Sequence, residues 1–584
     1  MTFLDGCTAR VALLSVCVLR KLCACESWSG QGFLQSPFFI VEKRLERDEH
    51  WSMVITVDRT QTWRTSSFAL REPGTLVCAA RDAFVLRLGA TNMDTSLPPK
   101  RSTSCQAPNI AIMCMGSQGD CQPFIALALA LQAQGARVRF YAPTEMEDIC
   151  SAFFAPSGLP LVDFFGMPHL SVKKILDSDP AVRDAMNRGN FLTFMQGVSQ
   201  PKYIDMTFSD ADLVLDDLFN HFPADHIVYN TLFAAQGATA AEVLKVSSTL
   251  VSMQMTGSPS AHEPCLLISP QLFRKLPSFL RRAAWHAFSL LMVYSPSFRD
   301  EKWRVQKLGL RPLSTSQKMD IWLGNAPDCA LIIARSPLLS PAPPDWPAAE
   351  CKRVLGSFIL SAQEQVKAWP PSVELCAFLD AADPPVYIGW GSMIANSPLH
   401  MITLAVRVLM VLGKRGVILS GWAKLSAHLL DESTAPDTNE LRSYLANNIF
   451  IVESNAPHEW LFPRCAAIVH HGGAGTTASA LRSGIPSVIT PCFVDQPELA
   501  EKVHGLGVGI GLNQFHSVTA KELVSALGTV LTDQAMRSRA AILGEKLCAE
   551  NGAVVAASDI MLRLNIISSK SFDGKQATCG GMLL

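Results

Sequence analysis

The chain has 584 residues, 48% of them apolar and 17% charged, a balance that excludes wholesale disorder because disordered chains are polar and highly charged. Lys plus Arg number 50 against 51 Asp plus Glu, so the basic field on which non-specific nucleic-acid binding depends is missing, and no nucleic-acid partner is expected. No apolar run reaches the length of about 18 residues that a membrane span needs, since the greasiest stretch, 283–294, contains His286 and Ser289.

Seventeen cysteines, an odd number without CxxC pairs, read as reduced thiols of a cytoplasmic protein rather than a disulfide framework or metal site. In chain order, residues 1–106 stand apart as an N-terminal extension. Arg10, the apolar run 11–19, Arg20 and Lys21 have a faint secretory-signal shape that Asp5 spoils. A charge run, EKRLERDEH (42–50), a strand expected over Trp51–Val57 and a linker-like TSLPPKRSTS (95–104) follow; none of them assigns a function. The pattern then changes. NIAIMCMG (109–116) is a short apolar run ending in glycine, after which Phe124, Leu127, Ala128 and Leu131 recur at the spacing of one helix face, with the helix expected to begin near Gln122 and Pro123. Gly135 stops that helix and ARVRFYAP (136–143) returns as a strand, completing one βαβ unit.

Less regular alternation continues to about residue 334, and then SPLLSPAPPDWPAAE (336–350) supplies five prolines, a density that opposes both helix and central strand. Residues 336–383 are therefore expected to connect two domains. Before them, the basic and greasy stretch 273–304 reads by default as a packed core helix, the alternative being an amphipathic helix that touches a membrane. From 384 the alternation restarts, with strands at VYIGWG (386–391), GVILSG (416–421), IFIVES (449–454), CAAIV (465–469), SVIT (487–490) and GVGI (507–510). Apolar strands between helices imply parallel sheets covered on both faces. The expected fold class is α/β: two doubly wound Rossmann-like domains, 107–335 and 384–566, facing each other across a cleft, with a tail over 567–584.

The strongest chemical signal is HHGGAGTT (470–477), between strand CAAIV and a helix ending at Gly484. Gly472, Gly473 and Gly475 let backbone come close to a ligand, and the helix N-terminus beyond them offers unpaired N–H groups and a positive dipole end, a place for a diphosphate. His471 can add a hydrogen bond or a charge, and Thr476 and Thr477 can cap the helix or donate to phosphate oxygens. A tight turn with a satisfied histidine is the bland alternative. Asp495 and Gln496 follow the next strand at its carboxyl end, where a carboxylate and an amide can read vicinal sugar hydroxyls.

Together these residues carry a resemblance. HHGGAGTTASALRSGIPSVITPCFVDQPELAEKVHGLGVG (470–509) resembles the nucleotide-sugar signature of UDP-glycosyltransferases with the GT-B fold, particularly the branch of sterol 3-beta-glucosyltransferases and bacterial antibiotic glycosyltransferases. VYIGWGSM (386–393), SNAPHEWLFPRCAAIV (454–469), MGSQGDCQPFIALALALQAQG (115–135) and EKWRVQKLGL (301–310) are similar to further elements of that branch, so the likeness spans about 107–560. The resemblance implies an inverting transfer of a hexose, glucose in this branch, from a UDP-sugar to a hydroxyl of a lipophilic acceptor such as a sterol. It implies that Gly391, Ser392 and the 470–477 loop, Ala474 included, hold the diphosphate, that Asn455, Ala456 and Pro457 lie by the uracil, and that Asp495 with Gln496 grip the sugar. Asp120 would be the base that deprotonates the acceptor; a helix N-cap is its competing reading. The UDP-sugar is a co-substrate, and neither a cofactor nor a metal is expected, because the helix N-terminus, glycine backbone and His471 can carry the leaving charge.

Rival readings are transfer to a small secondary metabolite, and a non-catalytic relative that binds nucleotide-sugar or lipid. The chain also departs from the branch at Gln118 (usually Arg), Trp390 (Phe), Thr239 (His) and Pro-Glu-Leu 497–499 (Pro-Phe-Trp). DSD (177–179) and DAD (210–212) read as solvated helix-end carboxylates rather than metal ligands. GLGVGIG (505–511) runs from helix into strand, the reverse of a dinucleotide fingerprint.

Overall fold

The computed structural model describes the strands within 39–77 and residues 107–576, apart from 155–161, 170, 257–258, 296–297, 299–301, 347–351 and 454. The faint signal shape at 10–21, the linker-like 95–104 and the end of the tail lie outside the described residues. The chain divides into two units, Met1–Ser102 and Thr103–Leu584. In the first, β1 (Phe39–Leu45), β2 (Trp51–Val57), β3 (Arg64–Leu70) and β4 (Leu76–Val77) form an antiparallel sheet in that order, and β2 coincides with the strand expected there.

The second unit contains two parallel sheets. The first sheet comprises β5 (Asn109–Met113), β6 (Arg137–Pro143), β7 (Val162–Met167), β8 (His226–Asn230), β9 (Ser247–Ser252), β10 (Cys329–Ile333) and β11 (Lys352–Val354), in the order β11-β10-β9-β8-β5-β6-β7. A second sheet holds β12 (Val386–Gly389), β13 (Gly416–Leu419), β14 (Ile449–Val452), β15 (Ala467–His470), β16 (Ser487–Ile489) and β17 (Gly509–Gly511), in the order β14-β13-β12-β15-β16-β17. Both are doubly wound, and the strand order reverses between β5 and β8 and between β12 and β15, so each sheet opens a crevice at the carboxyl ends of those strands. β5 and β8 are buried throughout, as are β12 and β15, which is why they read as unbroken apolar runs rather than alternating ones.

Two connections tie the halves together. Residues 352–354, within the expected connecting segment 336–383, form an edge strand of the first sheet through the β10 pairing. The closing helix, Gly552–Gln576, returns to pack on the Gln118–Ala133 helix, burying Ala553, Ala556, Ala557 and Ile560 in the first domain's core. Gly356 and Gly552 meet backbone to backbone where these connections cross, and a Cβ on Gly552 would stand 2.5 Å from the Gly356 carbonyl carbon.

The greasy stretch after 270 forms the Pro270–Lys275 and Ser278–Val293 helices. Trp285, Phe288 and Val293 are buried, in line with a packed helix, while Leu272 and Phe279 stay exposed at 52% and 68%. Among the described residues no helix is long and apolar enough to cross a membrane.

Candidate active site

Asp120 follows β5 across a short turn. The helix that carries it begins at Gln118, four residues before the expected start, so Asp120 is not the N-cap but the third residue of the first turn. Ser117 takes the cap position, and its backbone N–H and Oγ donate to Asp120 Oδ2 at 2.7 and 2.9 Å. Those bonds leave Oδ1 without a protein partner among the described residues. Gly116, at φ +131°, makes this geometry accessible, because a Cβ there would run into the Asp120 carboxylate. Burial lifts the Asp120 carboxyl above its ordinary range, against the Ser117 hydrogen bonds, which act the other way. A carboxylate so placed is a better base than a solvated one.

Across from it stands the N-terminus of the Ala474–Arg482 helix, capped by Gly473. Ala474, Gly475 and Thr476 form the first turn, so their N–H groups have no intrahelical acceptor. The three glycines divide the work. A Cβ on Gly475 would meet nothing within 4 Å, so this position lies open to a ligand. One on Gly472 (φ +90°) would strike Ile489 at 2.7 Å, and one on Gly473 would stand 2.5 Å from His471 Nε2, so these two serve the protein's own packing. Thr477 faces inward, fully buried and, among the described residues, without a hydrogen-bond partner for its hydroxyl. Neither threonine caps the helix.

His471 is buried between Gly391 and Gly473, and its Nδ1 has no partner among the described residues. Burial pushes its pKa down to about 4, so the ring is neutral at neutral pH. His470 points into the core instead, where its Nδ1 accepts from the Gly472 N–H at 3.1 Å. Gln496 turns its Oε1 back to the Cys492 and Phe493 N–H groups, at 2.8 and 3.0 Å, which fixes the turn before its helix. Asp495 is bound at Oδ2 by Arg335 at 2.9 Å, and burial raises its pKa to about 6, opposed by Arg335 and reinforced by Glu498.

One continuous cavity of about 790 Å³ joins these groups. Asp120 and Gln118 reach it from the first domain. Gly391, Ser392, Asn455 and His471 line it from the second, as do Gly473 to Thr476, Asp495 and Gln496. Gly472, Pro457 and Thr477 sit behind this wall, Pro457 as the residue before the His458–Leu461 helix. The far part is apolar, with Ile175, Leu176, Phe194, Phe208, Phe288 and Trp322 on its walls. Sequence reasoning missed Trp422, which lines the cavity and whose N–H donates to the Gly391 carbonyl at 2.9 Å; a lone tryptophan in a turn carries no periodic signal. It also missed Arg335, which is 160 residues from its partner in sequence.

Three of the departures from the branch pattern find partners. Trp390 donates to Thr490 Oγ1 at 2.9 Å and stacks on Phe515, with ring centroids 4.5 Å apart. Thr239 Oγ1 accepts from buried Arg304 at 3.1 Å. Glu498 accepts two bonds from Arg335, both 2.9 Å. The reading of DAD as solvated helix-end carboxylates needs correction. It lies inside the Pro201–Asn220 helix, where Asp210 is buried and accepts from the His169 N–H at 3.0 Å, and Asp212 accepts from Trp303 at 2.7 Å. Among the described residues no three His, Cys, Asp or Glu side chains gather in a metal-holding group.

Comparison with known proteins gives this arrangement its class. The family model described as erythromycin biosynthesis protein CIII-like, C-terminal domain, matches residues 425–560. The sterol 3-beta-glucosyltransferase UGT80A2 of Arabidopsis thaliana is 30% identical over 460 residues, 76% of this chain and 64% of its own length. A sterol 3-beta-glucosyltransferase of Leptosphaeria maculans is 28% identical over 482 residues, 81% of this chain and 30% of its own. The chain thus spans less than two thirds of the length of these curated relatives. Among solved structures, the calicheamicin glycosyltransferase CalG4 superposes with a TM-score of 0.53 at 16% identity, covering 79% of this chain and 99% of its own. The glycosyltransferase of kitacinnamycin does so at 0.51 and 19%, covering 79% and 100%.

Two doubly wound sheets with a cleft at both switch points, superposing on these structures, define the GT-B fold. Within that class the chain is similar to the sterol 3-beta-glucosyltransferases of these organisms over about three quarters or more of its length, and to the erythromycin biosynthesis CIII-like C-terminal domain over residues 425–560.

Proposed function

We propose that this protein transfers glucose from UDP-glucose to the hydroxyl of a sterol, with inversion at the anomeric carbon. The observation that carries the reading is the single cavity in which an acid of raised pKa, an open helix N-terminus and an apolar chamber meet. Asp120 Oδ1 takes the acceptor's hydroxyl proton while the freed oxygen bonds to the anomeric carbon, and the bond from that carbon to the diphosphate oxygen breaks on the opposite face. The electron pair leaves with UDP. The N–H groups of Ala474 to Thr476, Ser392 and His471 receive its charge, and Asp495 with Gln496 hold the sugar hydroxyls. Asn455 and Trp422 border the place left for the uracil.

The acceptor chamber supports a lipophilic partner, and the exposed Leu272 and Phe279, beside Arg274 and Lys275, support pick-up from a membrane surface by a cytoplasmic protein that binds it peripherally. The test is UDP release from UDP-glucose, UDP-galactose and UDP-glucuronate, with ergosterol or a flavonoid as acceptor, before and after treatment with EDTA. Release from UDP-glucose that depends on ergosterol and survives the chelator is the expected result. Failure with every donor contradicts it, and transfer to the flavonoid alone moves the acceptor to another class.

A further inference from the structure

The Asp495 carboxylate does not stand alone at the cavity wall. Arg335, just past β10 and fully buried, gives one N–H to Asp495 Oδ2 and shares its other terminal nitrogen between both oxygens of Glu498, all at 2.9 Å. Lys502 backs Glu498 from one turn further along the Gln496–Gly505 helix at 3.1 Å, and reaches Glu263 of the first domain and Ser340 of the connecting segment, each at 3.0 Å.

We infer that Arg335 is a positioning residue of the donor site: it holds Asp495 ionised and fixed by Oδ2, so that Oδ1 remains for the hydroxyls of the transferred sugar. This rests on the donor-site reading above. An ion network that only fastened two domains would pair its charges. Here three carboxylates, Asp495, Glu498 and Glu263, share two cations, Arg335 and Lys502; Glu498 takes bonds from both, Asp495 and Glu263 take one each, and of those two it is Asp495 that lines the cavity. Part of the excess acceptor capacity, that of Asp495, therefore faces the ligand.

The charged groups acting on Asp495 are Arg335, from the end of β10, and Glu498, from its own helix; burial raises its pKa to about 6, Arg335 opposes the rise and Glu498 adds to it. Removing the guanidinium raises the Asp495 pKa and removing the Glu498 charge lowers it. A protonated Asp495 loses an acceptor for the sugar but leaves the uridine and diphosphate contacts alone.

The experiment is calorimetric binding of UDP and of UDP-glucose to the full chain, from about pH 5 to about pH 9, for the wild type, Arg335→Met and Glu498→Gln. In the wild type the advantage of UDP-glucose over UDP falls away as pH drops below about 6. In Arg335→Met, UDP binding stays within about twofold, the advantage of the sugar at neutral pH drops about tenfold or more, and it recovers in alkali. Glu498→Gln moves the fall in the opposite direction, to lower pH. Equal weakening of UDP and UDP-glucose in Arg335→Met, or fall-off points that do not move apart in the two variants, overturns the inference while leaving the donor-site reading in place. Should Arg335→Met not fold, Glu498→Gln decides, and an unmoved fall-off overturns the inference. A wild type in which the sugar adds nothing at any pH sinks both.

Discussion

The proposed role of Asp120 as a base for an alcohol rests on its surroundings in the turn: Gly116 leaves room for the carboxylate, and Ser117 holds one oxygen and leaves the other. Asp120→Asn keeps an acceptor for Ser117 and removes the base, so kcat falls about 10²- to 10⁴-fold while calorimetric affinity for UDP stays unchanged. His471 makes a second prediction at this scale. Burial holds its pKa at about 4, and a diphosphate beside the ring raises it. Between about pH 4 and that raised value, UDP binding takes up a proton, and affinity weakens as pH climbs through the raised value. Calorimetry in buffers of different ionisation heat detects the uptake, which disappears in His471→Gln. Asp120 was legible in the sequence because it sits between a strand and a helix face, but its hold by Ser117 was not, since the helix begins a turn earlier than its apolar face.

The turn after β15 shows why an element can be recognised before its parts are understood. Three glycines beside a helix start announce an anion site, and the Ala474–Arg482 helix stands where the residues placed it. Which glycine faces the ligand could not be read, because that depends on His471 folding back and on Gln496 crossing behind Gly472. Gly475→Ala adds a methyl that meets no protein atom within 4 Å, so the thermal midpoint stays put while UDP affinity drops about tenfold or more. Gly473→Ala forces the His471 ring aside, so it lowers both the thermal midpoint and UDP affinity. Loss of stability in Gly475→Ala without loss of UDP binding contradicts this division. The DAD segment gives the opposite lesson: a short acidic run in an amphipathic helix reads as solvated until the tertiary partners His169 and Trp303 appear.

Across the whole molecule, the doubly wound sheets were legible because buried parallel strands leave unbroken apolar runs, and the strands from β12 onward lie within a few residues of their expected places. The crossings between domains were not legible, since neither the β11 edge pairing nor the return of the closing helix has a local signature. That helix is fastened by side chains: Ile560→Ala empties a fully buried position in the first domain's core and costs about 2–5 kcal/mol of stability, read by denaturant unfolding. The same crossings bring Asp120 and the Ala474–Arg482 helix to one cavity, and on that meeting the proposed transfer depends. A crystal structure with UDP tests it most directly. The expected result is the diphosphate on the N–H groups of Ala474, Gly475 and Thr476 with His471 alongside, in the same cavity that Asp120 lines. A diphosphate seated elsewhere, with the Gly475 turn bare, contradicts the account.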